Sequence, residues 1–390
     1  VQLNMDGTKK RDSRGQPLPT YDQNTISGFA RVFTGWRWDC PLYLVPGACN
    51  FESANPDRWP ATGFNQAKPM RLYEEQHEAG IKQLLTYSGV ALTNGRVPAN
   101  QGGVKDLKDA LDNVFNHPNV GPFISRQLIQ KLVSSNPSPE YISRIASIFN
   151  NDGTGVRGNL RAVVTAILLD PEARNPANLE TGGKLKEPIV RLTQLWRTYN
   201  ATSPSGVFGA INWGCDNPGC TSMQYTGQSP LDSPSVFNFF SPSYSPPGEI
   251  SRAGLVAPEM QLANENLHTQ MHNFISEQIS QAIPKPAGNA VEVTSRDKKK
   301  IYMNIDIETS VADDVDKLLN VVSERLLGDA SLLSQESRAV FRTHLATSKT
   351  DLCCASDPTK RADISTERRY RQIFDAIYLV ATSPEYAVQQ

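Results

Sequence analysis

The chain has 390 residues, 39% of them hydrophobic and 20% charged, with 39 Lys plus Arg against 40 Asp plus Glu. That length buries a large core and accommodates two or three domains, and the near balance of charge excludes a global electrostatic case for nucleic acid or an anionic membrane as partner. No apolar run approaches the roughly 18 residues of a membrane-spanning helix, and the two basic runs, Lys9 to Arg11 and Lys298 to Lys300, are short and flanked by polar loop residues.

In chain order, a turn-rich start, "NMDGTKKRDSRGQPLPTYD", leads into Ile26, Phe29, Ala30 and Phe33, whose spacing predicts a helix over 24–36 with Gly35 as its stop. Residues 40–67 read as a loop rich in Pro, Asn and aromatics, and a second helix is expected over 72–85, with Gly80 as an imperfection. From Asp106 the pattern is regular. Leu107, Ala110, Leu111, Val114 and Phe115 form one apolar stripe ended by Pro118, and Pro122 opens the next helix, on which Phe123, Ile124, Leu128 and Leu132 recur. Ser138 is positioned as an N-cap with Pro139 at the first helical position, and Ile142, Ile145, Ala146 and Phe149 form the buried face.

Gly153, Gly155 and Gly158 then spell G-x-G-x-x-G in "NNDGTGVRGNLRAVVTAILLD". A dinucleotide fingerprint needs a buried strand before it and an acidic residue about 20 positions on for the ribose. Here a helix precedes it and that acid is missing, so the glycines are expected to reverse the chain between antiparallel helices, the second carrying Leu160, Val163, Val164, Ile167 and Leu168 up to Pro171.

A helix over 187–199 has Pro188 in its first turn. Residues 200–254 follow as a long connection rich in Ser, Pro and Gly, but Phe237, Phe239, Phe240 and Tyr244 are too aromatic for disorder, so an ordered loop that buries rings and offers a contact surface is expected. Helices are predicted over 258–282, over 311–327 with Ser310 capping and Val315, Leu318, Val322 and Leu326 buried before Gly328, and over 335–345 and 366–382. The fold class is therefore mainly α, an irregular multi-helix array with long ordered loops and little or no sheet. It is organised as a helical array over 1–200, an aromatic and Pro-rich loop over 201–255 and a helical region over 256–390.

The six cysteines form three local pairs: Cys40 with Cys49, Cys215 with Cys220 around the turn "DNPG", and the adjacent Cys353 and Cys354. Turns bring flanking side chains within bridging distance, so an oxidising compartment, periplasmic or extracellular, is expected. A redox role for Cys353 and Cys354 is disfavoured, because the pair lacks C-x-x-C spacing.

Few residues offer chemistry. His268 and His272 in "HTQMH" lie at i and i+4 and could share a divalent metal, with Glu265 a turn earlier as third ligand, although two imidazoles bordering the core edge is the simpler reading. "HEAGI" at His77 begins like a zincin motif but has Ile81 where the second histidine belongs. His77 could also be a general base held by Glu74, Glu75 or Glu78. Neither G-x-S-x-G nor a P-loop occurs, and Asp152 lacks the bidentate glutamate of a calcium loop. No catalytic residue is specified, and the possible metal is the one cofactor for which ligands are in view.

Five stretches, "TYDQNTISGFARVFTGW", "HPNVGPFISRQLIQKLVSSNPSPEYISRIASIFNNDGTGVRGNLRAVVTAILLDPEAR", "GKLKEPIVRL", "SPSVFNFFSPSYSPPG" and "SPEYAVQ", together resemble the bacterial family known as domain of unknown function 1800. The resemblance spans almost the whole chain and implies an exported protein, often encoded beside a second exported family, with no established catalytic residues. It also implies a helical N-terminal half ending before "LNMDGT", which this sequence does not contain, so the chain is expected to expose an apolar surface and to bind another polypeptide: that half as a separate chain, or a larger envelope assembly. The sequence thus predicts an exported scaffold or interaction protein. The alternative is a metal-dependent hydrolase acting on an envelope or extracellular polymer.

Overall fold

A computed structural model of the chain describes residues 1–40, 67–175, 183–204, 206, 208, 226–230, 233–282, 301–347 and 361–389. They form two compact units, Val1–Ile129 with Ser138–Asp170, and Gln130–Pro137 with Pro171–Gln390. The protein is mainly α, and its described strands form three two-stranded antiparallel pairs. No described helix is long and apolar enough to cross a membrane.

In the first unit, α1 (Gln23–Val32) starts where the Asp22 carboxylate accepts from the Thr25 N–H at 2.8 Å. β1 (Trp36–Arg37) pairs with β2 (Arg71–Leu72), and β3 (Lys82–Gln83) with β4 (Arg96–Val97). The helix expected over 72–85 does not form: only Glu74–Gln76 makes a single 3-10 turn. Tertiary partners override the local pattern. A Cβ on Gly28 would lie 1.8 Å from the Gln83 carbonyl oxygen, so α1 rests directly on the β3 backbone. Beyond β3, Leu85 gives its N–H to Asn113 Oδ1 at 3.0 Å, and its carbonyl takes Asn113 Nδ2 at 2.9 Å. An extended segment gains these partners and a helix would lose them.

Asn113 lies on α2 (Gly103–Phe115), which is followed by α3 (Val120–Leu132), α4 (Pro139–Asn150) and α5 (Leu160–Leu169). Ser138 caps α4 as expected, its hydroxyl accepting from the Tyr141 N–H at 3.0 Å. A helix precedes the glycine loop, and the loop satisfies itself. Asn151 Oδ1 accepts from the N–H groups of Gly153 and Gly155, and Asp152 Oδ1 from those of Thr154 and Val156, which leaves no cluster of free amides for a phosphate. Gly158 is required for space, because a Cβ there would meet the Phe115 ring at 2.7 Å.

The second unit runs through α6 (Pro171–Arg174), β5 (Lys184–Leu185), α7 (Pro188–Thr198), α8 (Glu249–Arg252), α9 (Glu265–Ala282), α10 (Asp306–Val311), α11 (Val315–Leu327), α12 (Gln335–Thr347), α13 (Arg361–Ala381), α14 (Pro384–Ala387) and β6 (Val388–Gln389), which pairs with β5. Three predicted boundaries shift, the helix expected over 366–382 already beginning at Arg361. The helix expected over 258–282 breaks into a 3-10 stretch at Pro258–Leu262 and α9, because Asn264 Oδ1 accepts from the Leu267 N–H at 2.9 Å and starts a new helix. Asp314, not Ser310, caps α11, accepting from the N–H groups of Asp316 and Lys317. One continuous core joins these helices: Leu192, Leu195 and Trp196 of α7, Met271, Ile275 and Ile279 of α9, Leu318, Val322 and Leu326 of α11, and Ile373, Ile377 and Val380 of α13.

Candidate functional site

Four stretches singled out in the sequence meet within the second unit: the end of α3, the "GKLKEPIVRL" segment, the aromatic loop and the C-terminal "SPEYAVQ". Backbone and side-chain hydrogen bonds interlock them. The Lys184 ammonium donates to the Lys131 carbonyl at 2.9 Å, Gln389 Nε2 to the Leu132 carbonyl at 2.9 Å, and the Lys186 N–H to the Ala387 carbonyl at 2.8 Å. Gln130 Nε2 donates to the carbonyls of Ser135 and Pro242. Asn136 clamps Val256 reciprocally, with both bonds at 2.8 Å.

Around this junction two carboxylates already hold partners. Glu187, the N-cap residue of α7, takes Lys131 Nζ at 3.0 Å on one oxygen and Gln228 Nε2 at 2.6 Å on the other. Glu259 pairs with Lys184 at 2.9 Å, both side chains buried. Two cations are left over. Lys186 Nζ lies 4.8 Å from the Tyr386 ring centroid, and the Tyr386 hydroxyl donates to the Arg191 carbonyl at 2.6 Å. Burial pulls the Arg191 guanidinium below its ordinary pKa, and burial together with Arg191 does the same to Lys186.

The metal-ligand set expected from sequence is only partly assembled. His268 and His272 do lie side by side on α9, ring centroids 4.5 Å apart, with His268 exposed and His272 half-buried. Glu265 is exposed in the first turn of the same helix, and among the described residues no group of three His, Cys, Asp or Glu is placed to hold a metal. Burial, then His268 and Arg191, depress the His272 pKa.

Of the loop aromatics, Phe240 is buried with Lys131 Nζ 3.8 Å over its ring, Phe239 and Tyr244 are half-buried, and Phe237 is 81% exposed beside Val236 at 95%. The loop is thus anchored at one ring and offers another to solvent. Cys40 is fully buried and disulfide-bonded. Cys49, Cys215, Cys220, Cys353 and Cys354 lie outside the described residues.

His77, in the first unit, is held by a carboxylate, but by Asp106 and none of the neighbouring glutamates. Its Nε2 lies 3.0 Å from Asp106 Oδ2, and its Nδ1 lies 2.9 Å from the Thr34 carbonyl. Both ring nitrogens therefore face acceptors, and neither is available as a base to a substrate. Lys82 completes the cluster through Asp106 Oδ2 and the carbonyls of Glu78 and Gly80. Burial alone would raise the Asp106 carboxyl. Hydrogen bonds from Lys82 and His77, with the Lys82 charge, outweigh it and hold the carboxyl below the usual carboxylate range. A shallow depression nearby is lined by Glu74, Gln101 and residues 102–105 at the start of α2. Glu74 Oε1 already accepts from the Gly103 N–H there at 3.0 Å, so the helix terminus is filled from within.

Asp106 and Asn113 face inward beside Ala110 and Leu107, which pack on Val32, Leu84 and Val97, and the rest of the apolar stripe of α2 faces outward. Leu111 is 57% and Phe115 42% exposed, with Val104 and Val114 also exposed on the same helix. Neighbouring helices of the unit add Phe123, Leu160, Leu168 and Leu169 to the exposed large apolar side chains. The stripe was legible in sequence; its outward direction was set by Asp106 and Asn113, polar residues one helical face away. Arg191 and Lys186 were not singled out, although "GKLKEPIVRL" shows three cations against one acid.

The family model described as "Protein of unknown function (DUF1800)" matches residues 9–388, and the chain belongs to that family. No curated protein and no solved structure matches it.

Proposed function

We propose that this protein is an exported helical scaffold of the bacterial cell envelope or cell surface, whose task is to bind a partner protein. The observation that carries the reading is α2: a helix with a regular apolar stripe that presents Leu111, Val114 and Phe115 to solvent while packing Asp106 and Asn113 inward. An apolar patch of contiguous large side chains is costly in water and marks a binding surface. Phe237 and Val236, at the exposed tip of an anchored loop, offer a second contact. The Cys40 disulfide supports an oxidising compartment. The alternative, a metal-dependent hydrolase, rests on the adjacent His268 and His272 and has no third ligand among the described residues.

The test places a photoreactive amino acid at position 115, 237 or, as an exposed control on α12, 340 (Val340 is 64% exposed) in cells of the native source. A discrete protein adduct from position 115 or 237 and none from 340 is the expected result. No adduct at either position, or the same adducts from all three, contradicts the reading.

A further inference from the structure

Two arginines of the second unit are partly or wholly withdrawn from water, and they are treated very differently. Arg325, on α11, gives two hydrogen bonds of 2.8 Å to the oxygens of Glu308, a third to the Thr198 carbonyl, and stacks 4.4 Å from the Tyr199 ring centroid. This is how a buried guanidinium is normally satisfied, because a charge taken out of water needs an opposite charge and filled hydrogen bonds.

Arg191, in the first turn of α7, is more deeply buried, with 7% of its surface exposed, yet among the described residues its guanidinium makes no hydrogen bond or ion pair and its Nε is a buried donor without a partner. Among the described residues no carboxylate forms an ion pair with it, and the Tyr386 hydroxyl, held neutral by burial, bonds only its backbone carbonyl. The cation that does interact with it makes matters worse, since Lys186 feels Arg191 as a like charge. Two acids of the junction are committed elsewhere, Glu187 to Lys131 and Gln228, Glu259 to Lys184.

We propose that Arg191 and Lys186 form a binding site for an oxyanion, a carboxylate or phosphate group that lies on the guanidinium and neutralises both cations. The guanidinium presents a planar fork of donors suited to two oxygens of one group, and the half-buried Lys186 adds a movable point charge over the Tyr386 ring. Tyr386 links the two residues, its hydroxyl holding the Arg191 carbonyl and its ring lying under Lys186, whose N–H is fixed by the neighbouring Ala387 carbonyl. The site does not depend on the partner-binding reading of α2, which lies in the other unit.

The full chain is melted in inorganic phosphate, in acetate, and in chloride at equal ionic strength. A ligand that binds the folded state alone raises the melting temperature by mass action, with saturation. The expected result is a saturable rise in phosphate, acetate or both over chloride, with Kd weakened at least 10-fold in Lys186→Gln and the effect abolished in Arg191→Met. Phosphate alone would assign a phosphate-type ligand, and acetate alone a carboxylate. Arg191→Met should also melt higher than the parent in anion-free buffer, because it removes an unpaired buried charge, an outcome a merely structural arginine would not give. No saturable effect beyond chloride, or a rise undiminished in Lys186→Gln, overturns the proposal. Lys186→Gln changes a half-buried side chain, so that arm stands even if Arg191→Met fails to fold.

Discussion

Two helices of thirteen residues each, α2 in the first unit and α11 in the second, carry comparable amphipathic patterns and are packed in opposite senses. α11 buries Leu318, Leu319, Val322 and Leu326 in the continuous core of its unit. α2 buries Asp106, Ala110 and Asn113 and leaves Leu111, Val114 and Phe115 in solvent. Periodicity announces a helix with an apolar face; it does not say that the same chain covers that face. Where polar groups close on each other inside, as Asp106 does with His77 and Lys82 and Asn113 does with the Leu85 backbone, part of the apolar face is left exposed.

The sharpest way to break this comparison is to remove the inner polar contacts. Asp106→Ala leaves the buried Lys82 ammonium with only the half-exposed Glu78 carboxylate at 3.8 Å as counter-charge and should cost about 3 kcal/mol in denaturant unfolding. On α11 the cost falls on an apolar residue instead, and Leu326→Ala should lose about 2–5 kcal/mol. If Asp106→Ala is nearly neutral, the inverted packing of α2 is wrong.

Acid should separate the same forces. The Asp106 carboxyl has a lowered folded pKa, so its contribution is fully present above the ordinary value of about 4 and is lost as pH falls through the lower folded value. His117 and His272 also have lowered pKa values, both first through burial, and the unfolded chain takes up their protons sooner. Stability should therefore begin to fall as pH drops below about 6.5. For His117 the geometry agrees, because Nδ1 accepts from the Asn119 N–H at 3.0 Å and protonation would remove that bond. Unfolding midpoints against pH should show this upper limb shrinking in His117→Gln and again in His272→Gln.

Smaller still is the effect on the outward face. Leu111→Ser and Val114→Ser should each change the stability of the isolated chain by no more than about 0.5 kcal/mol, as surface substitutions do, while weakening the partner complex. Values of several kcal/mol would mean that the face is covered within the chain. The least effect is expected at α9. Zinc titration followed by calorimetry should show no stoichiometric binding that His268→Ala removes; one zinc per chain, lost in that variant, would favour the hydrolase reading.

Much of the helical framework was legible because its signals are local. Ser138 and Pro139 mark the start of α4, Gly328 ends α11, and the helix before Gly153 rules out a strand-led phosphate loop. The failures are tertiary. Residues 72–85 read as a helix until Asn113, Gly28 and β4 supply an extended chain with better partners. The Asp106 cluster joins positions 29 and 24 residues apart from His77 and Lys82, and no short motif connects them. The Arg191 site was hidden for a further reason: its signal is a missing carboxylate, and a deficit of partners becomes visible only once every neighbour has been placed.

The central claim, that the first unit is built to be covered by another polypeptide, is tested most directly by a native mass spectrum of the protein purified from its own source without reductant. The account predicts a companion polypeptide retained with the 390-residue chain and lost in a Leu111→Asp/Phe115→Asp variant that still folds. A single species at the mass of one chain, with the apolar face of α2 intact, would contradict it.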